Sequence, residues 1–175
     1  MDGGGVDGNW VINSLAVEPG FAPPLPTEAH FDFGIDSSPV ETDYTQVTES
    51  SIYSVSTGYG WTSTAGLVSR DRTLPDDLTR DLVQSTSEHI FSVDLANGDY
   101  LVTVTVGDQS YLHDLIDVYA EDALKINDIT ATSGSFPEVL FVVTVADGPL
   151  NLRILDDGGV DPNWVINALT IIQNI

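Results

Sequence analysis

The sequence predicts an all-β, antiparallel sandwich with one short helical segment. Three observations point to it. Short runs that alternate apolar and polar residues recur along the chain. Turn-forming dipeptides separate several of them. Only one stretch carries helix-type chemistry, and hydrophobic residues make up 42% of the 175, enough to fill a core.

HFDFG (30–34) reads as a first strand, and YTQVT (44–48) and YSVSTGYGW (53–61) as weaker candidates. LPDDLTRDLVQS (74–85) is the helix-like stretch. Pro75 at its start and Asp76 and Asp77 in its first turn suit a helix N-terminus. EHIFSVDLA (88–96), DYLVTVTVG (99–107) and LIDVYAE (115–121) alternate with period two. VLFVVTVA (139–146) is continuously apolar, as expected of a strand covered on both faces. NLRIL (151–155) and NWVINALTI (163–171) complete the set. Asn97-Gly98 and Asp147-Gly148 each suit a two-residue hairpin turn.

One passage occurs twice. Residues 2–17 read DGGGVDGNWVINSLAV and residues 156–171 read DDGGVDPNWVINALTI, with Trp10 matching Trp164. A spacing of about one domain suggests a tandem array. Residues 1–17 would be the last strand of a preceding repeat. Residues 18–28, with four of the nine prolines, would be a semi-rigid linker. Residues 29–175 would form one whole module. One module has one slot for its closing strand, so the N-terminal copy would dock on an edge, on a neighbouring repeat or on a copy of the chain.

Charge narrows the partners. There are 27 Asp+Glu against 5 Lys+Arg, a formal net charge of −22. Such a surface repels phosphate backbones and anionic lipids, so neither nucleic acid nor membrane insertion is expected. Cysteine is absent, which removes disulfides, thiol nucleophiles and Cys-based zinc sites. No G-x-S-x-G elbow is present, and His30, His89 and His113 lie in different segments, so no enzymatic activity is expected.

FDFG (31–34), SPV (38–40), YTQVT (44–48) and GYGW (58–61) occur in order. LTRD (78–81), FSVDLANGDYLVTVTVGD (91–108), DVYAE (117–121) and DPNWVINALTI (161–171) follow. This series resembles the galactose-binding-like β-sandwich module appended to rhamnogalacturonan acetylesterases, agarases and related polysaccharide-active enzymes. The resemblance covers about residues 30–172. It implies a jelly-roll fold, an extracellular or cell-surface setting and carbohydrate binding by a non-catalytic module of a multi-domain protein. The ligand expected is a plant- or algal-type polysaccharide. The alternative is a structural repeat of an adhesin or filament, assembled by strand exchange through the duplicated strand.

Two groups are candidates for the ligand face. Tyr53, Tyr59 and Trp61 sit in a Gly- and Ser-rich stretch, where flat rings could stack on a sugar. Trp61 suits a core position equally well. Arg70, Arg72 and Arg80 are three of the five basic residues, and their guanidinium forks could clamp a carboxylate or vicinal hydroxyls. Internal pairing with nearby Asp71, Asp76, Asp77 or Asp81 is the competing role. For calcium, Asp157, Asp161 and Asn163 supply oxygen ligands on a Gly-rich loop. An Asx-turn would explain the same residues without metal. The resemblance implies a second place for one structural Ca2+, between the first and last strands, where Asp32 and Asn167 stand.

Overall fold

The computed structural model describes residues 24–146 and 148–174, and every structural statement below concerns those residues. Thirteen strands follow one another without a helix. They are β1 (Glu28–Phe33), β2 (Thr45–Val47), β3 (Tyr59–Trp61), β4 (Val68–Asp71), β5 (Asp81–Ser85), β6 (His89–Val93) and β7 (Gly98–Thr105). Then come β8 (His113–Ala120), β9 (Ala123–Ala131), β10 (Glu138–Val145), β11 (Leu150–Asp156), β12 (Trp164–Ile166) and β13 (Ala168–Gln173). Two five-stranded sheets, ordered β10-β7-β13-β1-β2 and β3-β6-β11-β8-β9, form the sandwich. A three-stranded sheet, β12-β5-β4, accompanies them. The antiparallel sandwich expected from period-two alternation is therefore present.

Between the sheets lies an aromatic centre. Phe33, Trp61, Phe91 and Trp164 are all fully buried. Trp61 lies 5.1 Å from Phe91 and 5.7 Å from Trp164, ring centre to ring centre. The indole N–H groups cannot be left bare in such a place. Trp61 donates to the Thr48 carbonyl at 3.2 Å and Trp164 to the Ser87 carbonyl at 2.5 Å.

Four local expectations are corrected. Residues 74–85 form no helix. The Asp76 carboxylate caps one turn, accepting from the Thr79 N–H at 2.9 Å and its hydroxyl at 2.7 Å. The chain then extends into β5, whose Leu82 and Val83 are core residues. Burial of DLVQS outweighs the helical start signal. Neither Asn97-Gly98 nor the passage through Gly148 closes a hairpin, because β6 and β7, like β10 and β11, belong to opposite sheets. These segments arch over the sandwich, and the Asn97 amide ties the two arches together by donating to the Ala146 carbonyl at 2.8 Å. The two-residue hairpin is instead Glu121-Asp122 between β8 and β9, with φ of 49° and 60°. The Glu121 carboxylate offsets part of that backbone cost by accepting the Asn151 N–H at 2.8 Å. Finally, β10 is an edge strand with one open face, where Leu140 and Val142 are about half exposed.

The second copy of the repeated passage divides in two. Trp164–Ile166 pairs with β5, and Ala168–Gln173 lies between β7 and β1. The first copy, residues 2–17, lies outside the described residues, as does the linker up to Pro23. The end of the linker is tied to the sandwich. The Ala96 N–H donates to the Pro26 carbonyl at 3.1 Å and the Gln173 N–H to the Thr27 carbonyl at 2.9 Å.

Candidate functional site

The arginines and tyrosines singled out in the sequence do not share one face. Trp61 is 0% exposed and serves the core, so it offers no ring to a ligand. The glycine beside it serves the fold as well. A Cβ on Gly60 would stand 2.4 Å from the Tyr53 backbone nitrogen. Tyr53 is half-buried and donates its hydroxyl to Asp94 at 2.8 Å. Tyr59, also half-buried, packs on Phe31 at 4.9 Å and borders a cleft of about 340 Å³ with Pro24, Leu25, His30, Val55 and Asp94. That cleft begins at Pro24, where the described residues begin.

Arg70 and Arg72 line a different cleft of about 330 Å³, together with Gln84, Asp108, Tyr111, His113, Asp161 and Asn163. Its walls come from three places in the chain. Strands β4 and β5 contribute Arg70 and Gln84. Val68 pairs with Gln84 and Arg70 with Leu82, so all four lie on the same face of that small sheet. The segment from β7 to β8 contributes Asp108, Tyr111 and His113. The loop from β11 to β12 contributes Asp161 and Asn163. This loop is pinned by Asp114, whose carboxylate accepts the Val160 N–H at 3.0 Å and the Asp161 N–H at 3.0 Å. Gly159 passes close by with φ of 92°, and a Cβ there would meet the Asp114 carboxylate at 2.6 Å.

Beneath the cleft runs a polar chain. Arg72 grips the fully buried Asp108 with both prongs, Nε to Oδ1 at 2.9 Å and Nη2 to Oδ2 at 2.7 Å. The Ser110 N–H adds a third bond to Asp108 at 2.7 Å. Burial pushes the Asp108 carboxyl up, but Arg72, the Ser110 N–H and His113 outweigh it and hold the group below the usual carboxylate value. His113, itself buried, holds Asp161 through Nδ1 at 2.5 Å, and its Nε2 lies 3.5 Å from Asp108. Above this chain the Arg72 guanidinium lies 4.9 Å from the centre of the Tyr111 ring. Tyr111 is 59% exposed, so a rigid ring backed by a cation is offered to solvent.

Arg80 stands apart from this cleft. Its guanidinium is engaged by Asp71 at 3.0 and 2.9 Å and by Asp77 at 3.6 Å, an internal clamp rather than an open receptor. Tyr111 was missed in the sequence because its segment, GDQSYLHDL, shows neither alternation nor flanking glycine pairs. The nearest signal was its place two residues before His113.

The calcium candidates also separate. In the loop, Asp161 is spent on His113 and on the Asn163 side chain at 3.1 Å, while Asp157 is exposed. Asp161 makes an Asx-turn by accepting the Asn163 N–H at 3.3 Å, and the neighbouring Asp156 makes another by accepting the Gly158 N–H at 2.9 Å. Among the described residues, no group of three or more His, Cys, Asp or Glu is arranged to hold a metal. The other pair is brought together. Asp32 on β1 lies beside Asn167, whose carbonyl accepts the Phe33 N–H at 2.8 Å. The Asn167 amide donates to the Asp81 carbonyl at 2.6 Å, and the Asp81 carboxylate is bonded by the Ser38 hydroxyl. One oxygen each of Asp32, Asp81 and Asn167 is buried without a hydrogen-bond partner. Burial and the neighbouring carboxylates raise Asp32 to about 7; burial above all raises Asp81 to about 6. Buried, unpartnered oxygens of this kind fit a hard cation. Asp81 escaped the sequence reading because it lay inside the stretch read as helical.

A family model described as the β-agarase/YxiM esterase-like, galactose-binding domain-like domain matches residues 29–172. The chain belongs to this family. It is 34% identical over 148 residues to β-agarase A of Zobellia galactanivorans, spanning 83% of the chain and 26% of that protein. It is 31% identical over 150 residues to the uncharacterized esterase YxiM of Bacillus subtilis, spanning 83% of the chain and 37% of that protein. The crystal structure of the Bacillus subtilis YxiM protein superposes with a TM-score of 0.70 at 28% identity, over 84% of the chain and 40% of that structure. The chain thus spans well under half of each of these relatives, and it matches the galactose-binding-like domain of the family.

Proposed function

We propose that this protein is a non-catalytic carbohydrate-binding module that works outside the cell as part of a larger polysaccharide-active protein. The observation that carries the reading is the cleft in which the exposed Tyr111 ring lies over the Arg72–Asp108 pair. An exposed aromatic face can stack on the apolar side of a pyranose. Gln84, Asn163 and Arg70 around it can read hydroxyl groups. Membership of a galactose-binding-like domain family supports the same assignment. A relative named for agarase activity supports a polymer as ligand, and a polymer of that size is met outside the cell. Asp32, Asp81 and Asn167 would hold one structural Ca2+, which would neutralise two buried carboxylates and join the first strand to the last.

The test is affinity electrophoresis through gels containing agarose, pectin or an inert matrix. The parent protein should be retarded by one of the polysaccharides. Tyr111→Ala should lose about 1–3 kcal/mol of binding, the scale of removing an aromatic anchor. Its melting temperature should hardly change, because the ring is largely in water. Equal retardation of parent and variant would remove Tyr111 from the site, and a parent protein retarded by none of the polysaccharides would overturn the proposal.

A further inference from the structure

We infer that the cleft under Tyr111 selects an anionic saccharide, a sugar bearing a carboxylate or a sulfate, with Arg70 as the receptor for the charged group. The inference rests on the carbohydrate-binding reading above and deepens it. Its basis is where the positive charge of an acidic protein goes. Only five side chains are Lys or Arg. Arg72 is committed to Asp108, Arg80 to Asp71 and Asp77, and Arg153 to Glu88 and to the face of Tyr119. Lys125 is bonded to the Val142 carbonyl. Arg70 is exposed, and its described side-chain bond is to the Ser69 carbonyl at 3.0 Å.

The acids of the same cleft are already occupied. Asp108 is held by Arg72, and Asp161 by His113. Arg70 therefore meets no uncommitted carboxylate among the residues lining the cleft with it. In a chain with 27 Asp+Glu, a guanidinium serving only solubility has many carboxylates to choose from. One set in a cleft whose acids are all engaged presents its fork to whatever enters. The planar fork matches a carboxylate or sulfate with two parallel bonds, a geometry that an ammonium group cannot copy. The Tyr111 ring and the amides of Gln84 and Asn163 would hold the sugar that carries the charge.

The experiment is calorimetric titration of the full chain with trigalacturonate, with neutral galactotriose of the same linkage and with a sulfated galactan oligosaccharide. One anionic ligand should bind at least about tenfold more tightly than the neutral one, the scale of a charge-assisted bidentate contact. Which of the two does so identifies carboxylate or sulfate as the group read. Arg70→Ala should erase that preference, so that the anionic and neutral ligands bind alike. Arg70→Lys should restore only part of it. Tyr111→Ala should weaken all three ligands. If galactotriose binds as tightly as both anions while Tyr111→Ala still weakens it, the charge inference falls and the module reading stands. A preference that survives Arg70→Ala also overturns it. If no saccharide binds here or in the polysaccharide gels, both readings fall together.

Discussion

With calcium chelated, the protein should melt at a lower temperature at pH 7 than at pH 5, and saturating calcium should close most of that gap. Asp32 and Asp81 are buried carboxyls raised to about 7 and about 6. In the unfolded chain both return to a value near 3.9. Between about pH 4 and pH 7 the native state therefore holds protons that the unfolded state has lost, and stability falls as pH rises through that window. One pKa unit is worth about 1.4 kcal/mol, so the two coupled groups together withhold on the order of 3–6 kcal/mol at neutral pH. Calcium needs the ionised forms, so it should stabilise most at pH 7 and little below pH 5. At a hundredfold its dissociation constant it would contribute about 2.7 kcal/mol. The net charge of −22 pushes in the same direction as the buried pair. Asp81→Asn separates the local effect from the global one. It removes a single charge, yet it should raise the chelated melting temperature at pH 7 and abolish the response to calcium. A chelated protein whose melting temperature is flat from pH 5 to 7 and unmoved by calcium would refute the site.

Arg72→Ala should cost about 3–5 kcal/mol of stability, the scale of stripping the partner from a buried ion pair. Asp108 is fully buried and would be left with only the Ser110 N–H and the more distant His113. Arg70→Ala, two residues away, should stay within about 0.5 kcal/mol because its side chain is in water. Urea denaturation should show a much lower midpoint for the first variant and an unchanged one for the second. The acid dependence has the opposite sign to that of Asp32. Asp108 ionises below the usual carboxylate value, so its contribution is full at neutral pH and is lost only as pH falls from about 3.9 through that lowered value. Similar midpoints for the two variants would show that the pair carries no stability.

Strands were legible where one face is buried and the other wet, as in 99–107, because alternation records exactly that condition in the residues themselves. The sandwich class followed from such runs. Connections were not legible. Asn97-Gly98 has the composition of a hairpin, but whether a chain turns back or arches to the opposite sheet depends on partners far away in sequence. The hairpin at Glu121-Asp122 was invisible because its residues pay a backbone cost that a distant Asn151 N–H helps to offset. The site was half legible. Arginine scarcity drew attention to Arg70 and Arg72, which do line a cleft, and to Arg80, which does not. Asp32 and Asn167 were placed by resemblance, while their partner Asp81 was hidden within a helical signal.

The pairing of β1 with β13 has a mechanical consequence. The strands are antiparallel, and Glu28 faces Ile172, so the start of one and the end of the other lie at the same end of the pair. Tension applied at residues 28 and 172 would pull these two ends apart from one side. The ladder would then open like a zip, one bond bearing the load at a time, instead of sliding in shear with all its bonds loaded together. Phe33 and Asp32, at the far end of that ladder, would be the last to part from Asn167 and Ala168. An ion shared by Asp32, Asp81 and Asn167 would thus sit where the zip stops, locking the point at which peeling reaches the core.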